Sequence, residues 1–112
     1  MSKARQIGTH YETRLVKFFK DVWPEIKRVG SRDFGAGDLE GVPSFVIEAK
    51  AESVWGKAKA EKWMRQTWAS QQREKKRWHL LLIRWKHKPV GMSLVVMTAE
   101  QWKDIVRTYN IK

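Results

Sequence analysis

Apolar residues recur along this chain at two periods, helical and alternating, with one unbroken run, and together these mark out eight elements. Leu15, Phe18, Phe19 and Val22 keep helical spacing and form one stripe. Ahead of them, Thr9-His10-Tyr11-Glu12 has the form of a capping box. The first helix is therefore expected to start at Thr9 and to stop at Pro24, with residues 1–7 left as a loose arm. Ile26 to Val29 reads as a short strand. Gly30 to Gly37, three glycines with Ser31 and Asp33, reads as a loop. Asp38 to Val42 is a second strand and Pro43-Ser44 a turn. In a third strand, Phe45 to Ala51, a period of two sends Phe45, Ile47, Ala49 and Ala51 one way and Val46, Glu48 and Lys50 the other.

The second half opens on a basic helix from Gly56 to Arg73, with Ala60, Trp63, Met64, Thr67 and Trp68 on one face. Trp78 to Trp85 has the continuous apolar centre of a strand buried on both sides. Met92 to Met97 is the next strand. A second capping box, Thr98-Ala99-Glu100-Gln101, starts a last helix carrying Trp102, Ile105, Val106 and Tyr109 at helical spacing. The order α-β-β-β-α-β-β-α predicts an α/β fold, a mixed central sheet flanked by helices, in one domain over residues 1–112.

Composition sharpens this picture. The chain has 23 Lys and Arg against 12 Asp and Glu, a net charge of +11, which points to a polyanionic partner and first of all to nucleic acid. With no cysteine, a disulfide framework, a thiolate metal site and a cysteine nucleophile are excluded, which fits a reducing cytoplasm. No apolar stretch follows the N-terminus, and Leu80 to Ile83 is far short of the ~20 residues that span a bilayer. A soluble, cytoplasmic protein with no membrane contact is expected. Of the seven tryptophans, Trp63, Trp68 and Trp102 sit on apolar stripes and are expected in the core. Trp55 is the candidate for an exposed base-stacking residue.

The candidate chemistry lies in Gly37-Asp38-Leu39-Glu40 and Phe45-Val46-Ile47-Glu48-Ala49-Lys50. Adjacent short strands can bring Asp38 beside Glu48, with Lys50 projecting from the same face as Glu48. Two converging carboxylates repel unless a cation lies between them, and a hard divalent ion such as Mg²⁺ suits oxygen ligands and bridges to phosphate. Such an ion polarises a phosphodiester and acidifies a bound water, while Lys50 can orient that water or stabilise charge on the phosphate. The plainer reading is a Glu48–Lys50 ion pair on an exposed strand. Asp38, the glycine loop and the net charge favour a site. Glu40 is expected to be merely exposed. His10, His79 and His87 lack metal-ligand spacing, and there is no phosphate-binding GxxxxGK[ST] loop, so no nucleotide cofactor is expected.

The pattern Asp-(x)n-Glu-x-Lys after a helix bearing Glu12 resembles the PD-(D/E)XK nucleases, with Gly37 where the family usually has Pro. More closely, Gly8…Glu12…Leu15, then Arg28-Val29-Gly30-Ser31-Arg32…Asp38-Leu39…Ile47-Glu48-Ala49-Lys50 resembles archaeal-type Holliday-junction resolvases, including those carried by viruses and phages. The likeness covers residues 8 to 51.

It implies a restriction-endonuclease-like fold and a Mg²⁺-dependent endonuclease, with Mn²⁺ a possible substitute. Asp38, Glu48 and Glu12 would be metal ligands and Lys50 the catalytic lysine. It further implies that Ser31 lies near the scissile phosphate and that Arg28 and Arg32 contact phosphates. The basic helix from Gly56 to Arg73 adds Lys57, Lys62 and Arg65 as phosphate-tracking candidates, and Gln71 and Gln72 as helix residues that could reach the site. The implied substrate is branched DNA, and the need for two cuts in a four-way junction favours a homodimer. Two alternatives stay open: a nuclease for flaps, nicks, ends or plain duplex, and a basic DNA-binding module that does not cut.

Overall fold

The structure is a computed structural model that describes residues 2–29 and 38–111. Its elements are α1 (Lys3–Phe19), β1 (Lys27–Arg28), β2 (Leu39–Glu40), β3 (Phe45–Lys50), α2 (Lys57–Glu74), β4 (Trp78–Ile83), β5 (Leu94–Val96) and α3 (Ala99–Tyr109), with a 3₁₀ turn at Val90–Met92. The order is the one the sequence predicts. The five strands form one mixed sheet in the order β1-β2-β3-β4-β5. Among the described residues only β3 and β4 are parallel, paired from Phe45↔Trp78 to Lys50↔Ile83, and α2 is the crossover such a pair requires. The other neighbours are antiparallel. The protein is thus α/β, with a five-stranded mixed sheet and three helices.

The alternation in β3 and β4 divides the core. Ile47, Ala49, Leu80 and Leu82 pack with Tyr11 and Leu15 of α1 and with Ile26, Leu39 and Val42. Leu81 and Ile83 turn to the opposite face and pack on Trp63 of α2. All six residues of β4 are buried, as its unbroken apolar run requires. Among the described residues no helix is long and apolar enough to cross a membrane.

The start of α1 differs from expectation. The helix begins at Lys3, where Ser2 Oγ accepts from the Arg5 amide at 3.2 Å, so residues 3–7 are helical and not a loose arm. Lys3, Ala4, Arg5 and Gln6 are strong helix formers and carry it that far. Thr9-to-Glu12 therefore lies inside the helix and caps nothing. Thr13 Oγ1 donates to the Thr9 carbonyl at 2.9 Å, and Glu12 is released for other partners. The buried side of α1 is Tyr11 and Leu15, whereas Phe18 and Val22 are exposed.

The second capping box forms by half. Thr98 Oγ1 accepts from the Gln101 amide at 3.1 Å, but the Gln101 side chain turns to β4. There Oε1 accepts from the His79 amide at 2.9 Å and Nε2 donates to the His79 carbonyl at 2.6 Å. Pairing with β5 begins only at Leu81, so Gln101 supplies the bonds of a missing strand residue.

One turn depends on a glycine. Gly41, between β2 and β3, has φ +79°, and a Cβ there would fall 1.9 Å from the Glu25 carbonyl oxygen. This close approach seats the β2–β3 hairpin against the chain leading into β1.

Candidate active site

Asp38 sits at the head of β2, pinned on three sides. Its amide donates to the Ile47 carbonyl at 2.8 Å, and its carbonyl accepts from the Val29 amide at 3.1 Å. Its Oδ2 accepts from the Ala49 amide at 2.7 Å. The backbone of β3 thus orients the Asp38 carboxylate toward the segment that bears Glu48 and Lys50.

Glu48 points to the α2 face of the sheet and is only 9% exposed. Its Oε1 accepts from Ser70 Oγ of α2 at 3.2 Å, and Ser70 Oγ also accepts from Arg73 at 3.3 Å. Burial, above all, pushes the Glu48 carboxyl from its ordinary 4.5 up to about 7. The negative charge of Asp38 and a hydrogen bond shared between the two carboxyls add to the rise, while Lys50 and Ser70 oppose it. The two acids lie on adjacent strands, Leu39 of β2 pairing with Ile47 of β3, and Asp38 disfavours the charged form of Glu48.

Glu12, half-buried on α1, joins from the other side. Its Oε1 accepts from Arg28 Nε of β1 at 3.1 Å. Burial raises its carboxyl most, with Asp38 adding to the rise, while Arg28 and Lys50 counter it. Three elements, α1, β2 and β3, thus place Glu12, Asp38, Glu48 and Lys50 within electrostatic reach of one another.

The arrangement brings Asp38, Glu48 and Lys50 together as the sequence predicts, and it departs from prediction elsewhere. Arg28 is held by Glu12, with its side chain 41% exposed. Ser31 and Arg32 lie outside the described residues. Lys57, Lys62 and Arg65 are exposed on α2, with Lys57 3.8 Å from Glu61. Gln71 does not reach the carboxylates. It closes the end of α2 instead, donating to the carbonyls of Lys76 and Arg77 and contacting His79 Nδ1. The helix residue that does reach the site is Ser70, which sequence reasoning missed. Its signal was a small polar side chain seven residues after Trp63 and three after Thr67, on the buried side of α2. Glu40 pairs with Lys27 at 3.4 Å at the sheet margin.

The tryptophans divide differently in part. Trp63 is buried and Trp55 exposed, as expected, their tilted rings 6.1 Å apart, while Trp68 and Trp102 are more than half exposed and not in the core.

Asp38 and Glu48 are oxygen donors of the kind a hard divalent ion takes, and Mg²⁺ is commonly held by one or two carboxylates, its remaining positions filled by water and phosphate. Among the described residues no three His, Cys, Asp or Glu side chains converge to hold a metal unaided, and Glu12 remains on Arg28. The chain matches no family model, no curated protein and no solved structure.

Proposed function

We propose that this chain is a Mg²⁺-dependent DNA endonuclease of the PD-(D/E)XK type with a restriction-endonuclease-like fold. The observation that carries the reading is the placement of Asp38, its carboxylate held by the Ala49 amide at 2.7 Å, beside the buried Glu48 carboxyl, with Lys50 two residues further along the same strand as Glu48. A buried carboxyl such as Glu48 beside a second acid is costly to fold, and such costs gather where chemistry needs them.

Asp38 and Glu48 would hold the ion, Mg²⁺ or Mn²⁺, and the bound ion would supply Lewis-acid polarisation of the phosphate and a more acidic water. Lys50 places its charge where negative charge grows on the phosphate. Asp38 is fixed by three bonds to the backbone and Glu48 by Ser70, which hold the two oxygen donors in place. Hydrolysis joins a water oxygen to phosphorus and breaks one P–O ester bond, leaving a phosphate end and a hydroxyl end. Glu12, set by Arg28, tunes the field at the cluster.

A four-way junction is the preferred substrate, cut twice by a homodimer with one site per chain. The buried Trp78–Ile83 strand cannot form the dimer contact. Exposed Trp102 and Tyr109 of α3, with Leu94 and Val95 of β5, supply apolar surface for it.

The test is incubation of a labelled four-way junction and a linear duplex of matched sequence with Mg²⁺ and with EDTA. Paired, metal-dependent cuts in the junction alone are expected. Cutting of both substrates would keep the chemistry and remove the junction preference, and binding without cutting under any divalent ion would overturn the enzyme.

A further inference from the structure

Beside Lys50 the surface opens into three adjoining depressions of about 720, 650 and 330 Å³. Arg84 lines all three. The first two also share Ile7, and the first and third share Tyr11 and Arg14, so they form one groove between α1 and the chain leaving β4. Its walls carry Lys3, Arg5, Arg14, Lys50, Arg84 and Lys88. None of these six makes an ion pair among the described residues. Glu52 is the one carboxylate lining the groove among the described residues, and Lys59 already engages it. Six like charges held in one concavity call for a polyanion.

The far end of the groove adds a second feature. Trp85 lines it and is 47% exposed, with Lys88 Nζ 5.4 Å from its ring centroid. A charged groove ending on a half-exposed aromatic ring is the combination that binds single-stranded nucleic acid, the backbone following the cations and a base stacking on the ring.

We propose that this groove binds a single-stranded DNA segment, passing from Lys50 over Arg84 to stack a base on Trp85. The identity of the strand, as an unpaired arm continuing from the cut site, rests on the nuclease reading. It moves the main nucleic-acid contact from the exposed face of α2 to the groove along α1.

The test measures binding of dye-labelled oligothymidine by anisotropy in EDTA, so that cutting plays no part. Trp85→Ala should weaken binding roughly tenfold, within the range of one lost base stack, and Trp85→Phe should restore most of it. Arg14→Ala/Lys88→Ala should flatten the dependence of log affinity on log salt by about 1.4, two lost phosphate contacts. Unchanged melting temperatures would show the variants folded. Unchanged affinity in Trp85→Ala, or loss only in Lys57→Ala/Lys62→Ala/Arg65→Ala, would overturn the groove. Predicted strand binding by a protein that never cuts would sink the nuclease and leave the groove. Asp38-dependent cutting with an unaltered KM in Trp85→Ala would do the reverse.

Discussion

Replacing Glu48 with Gln should make the metal-free protein more stable at pH 8 while abolishing the proposed metal-dependent cleavage. In the native chain the Glu48 carboxyl titrates at about 7, against 4.5 for the free group, because burial and Asp38 disfavour its charge. A group whose folded pKa is raised lends stability that is complete below about 4.5 and lost as pH climbs through about 7. At about 1.4 kcal/mol per pH unit between those values, ionising Glu48 removes ~3 kcal/mol from the folded state, part of it shared with Asp38. Gln keeps the shape and can donate to Asp38 as the protonated acid does, but it never ionises. A net gain of ~2 kcal/mol at pH 8 is expected, and almost none at pH 4.5. For a domain of this size that is a rise of ~8 °C in melting temperature. The assay is thermal unfolding by circular dichroism in EDTA, at both pH values, for both proteins. An equal gain at the two pH values, or no gain at pH 8, would refute the claim that Glu48 is held as a strained acid.

Other consequences follow from single contacts. Ser70→Ala removes the hydroxyl that lowers Glu48, so the Glu48 titration should move to higher pH in carboxyl-carbon NMR of the metal-free protein. Gln101→Ala leaves the His79 amide and carbonyl without the partners that β5 fails to supply, and should cost ~2–4 kcal/mol in urea unfolding, with faster amide exchange at His79. Gly41→Ala forces a Cβ into the Glu25 carbonyl at positive φ, and should cost ~2–4 kcal/mol in the same experiment.

Much of this molecule is legible in its residue pattern because period and propensity agree with the fold. β3, β4, α2 and α3 all lie within two residues of the expected bounds, each carried by a strong apolar signal or a true cap. Asp38, Glu48 and Lys50 were legible for the same reason, since strand alternation fixes which side chains share a face. The start of α1 was not, because Thr9 and Glu12 mimic a capping box while Lys3 to Gln6 carry no apolar stripe to betray the helix beneath them. Trp68 and Trp102 misled because a wide apolar stripe does not say which of its edges meets the sheet. Ser70 and Gln101 were invisible because their roles depend on tertiary neighbours, a buried acid and a strand edge left short by β5. The basic groove is spread over α1 and the chain around Arg84, so no local charge run announces it.

The most direct test of the central claim is cleavage of a four-way junction in Mg²⁺ by the native protein and by Lys50→Ala, with junction binding measured in parallel. The account predicts that Lys50→Ala loses cleavage at least about a hundredfold while junction affinity falls only by the share of one phosphate contact. Cleavage that survives in Lys50→Ala at the native rate would contradict the assignment of Asp38, Glu48 and Lys50 as the catalytic set.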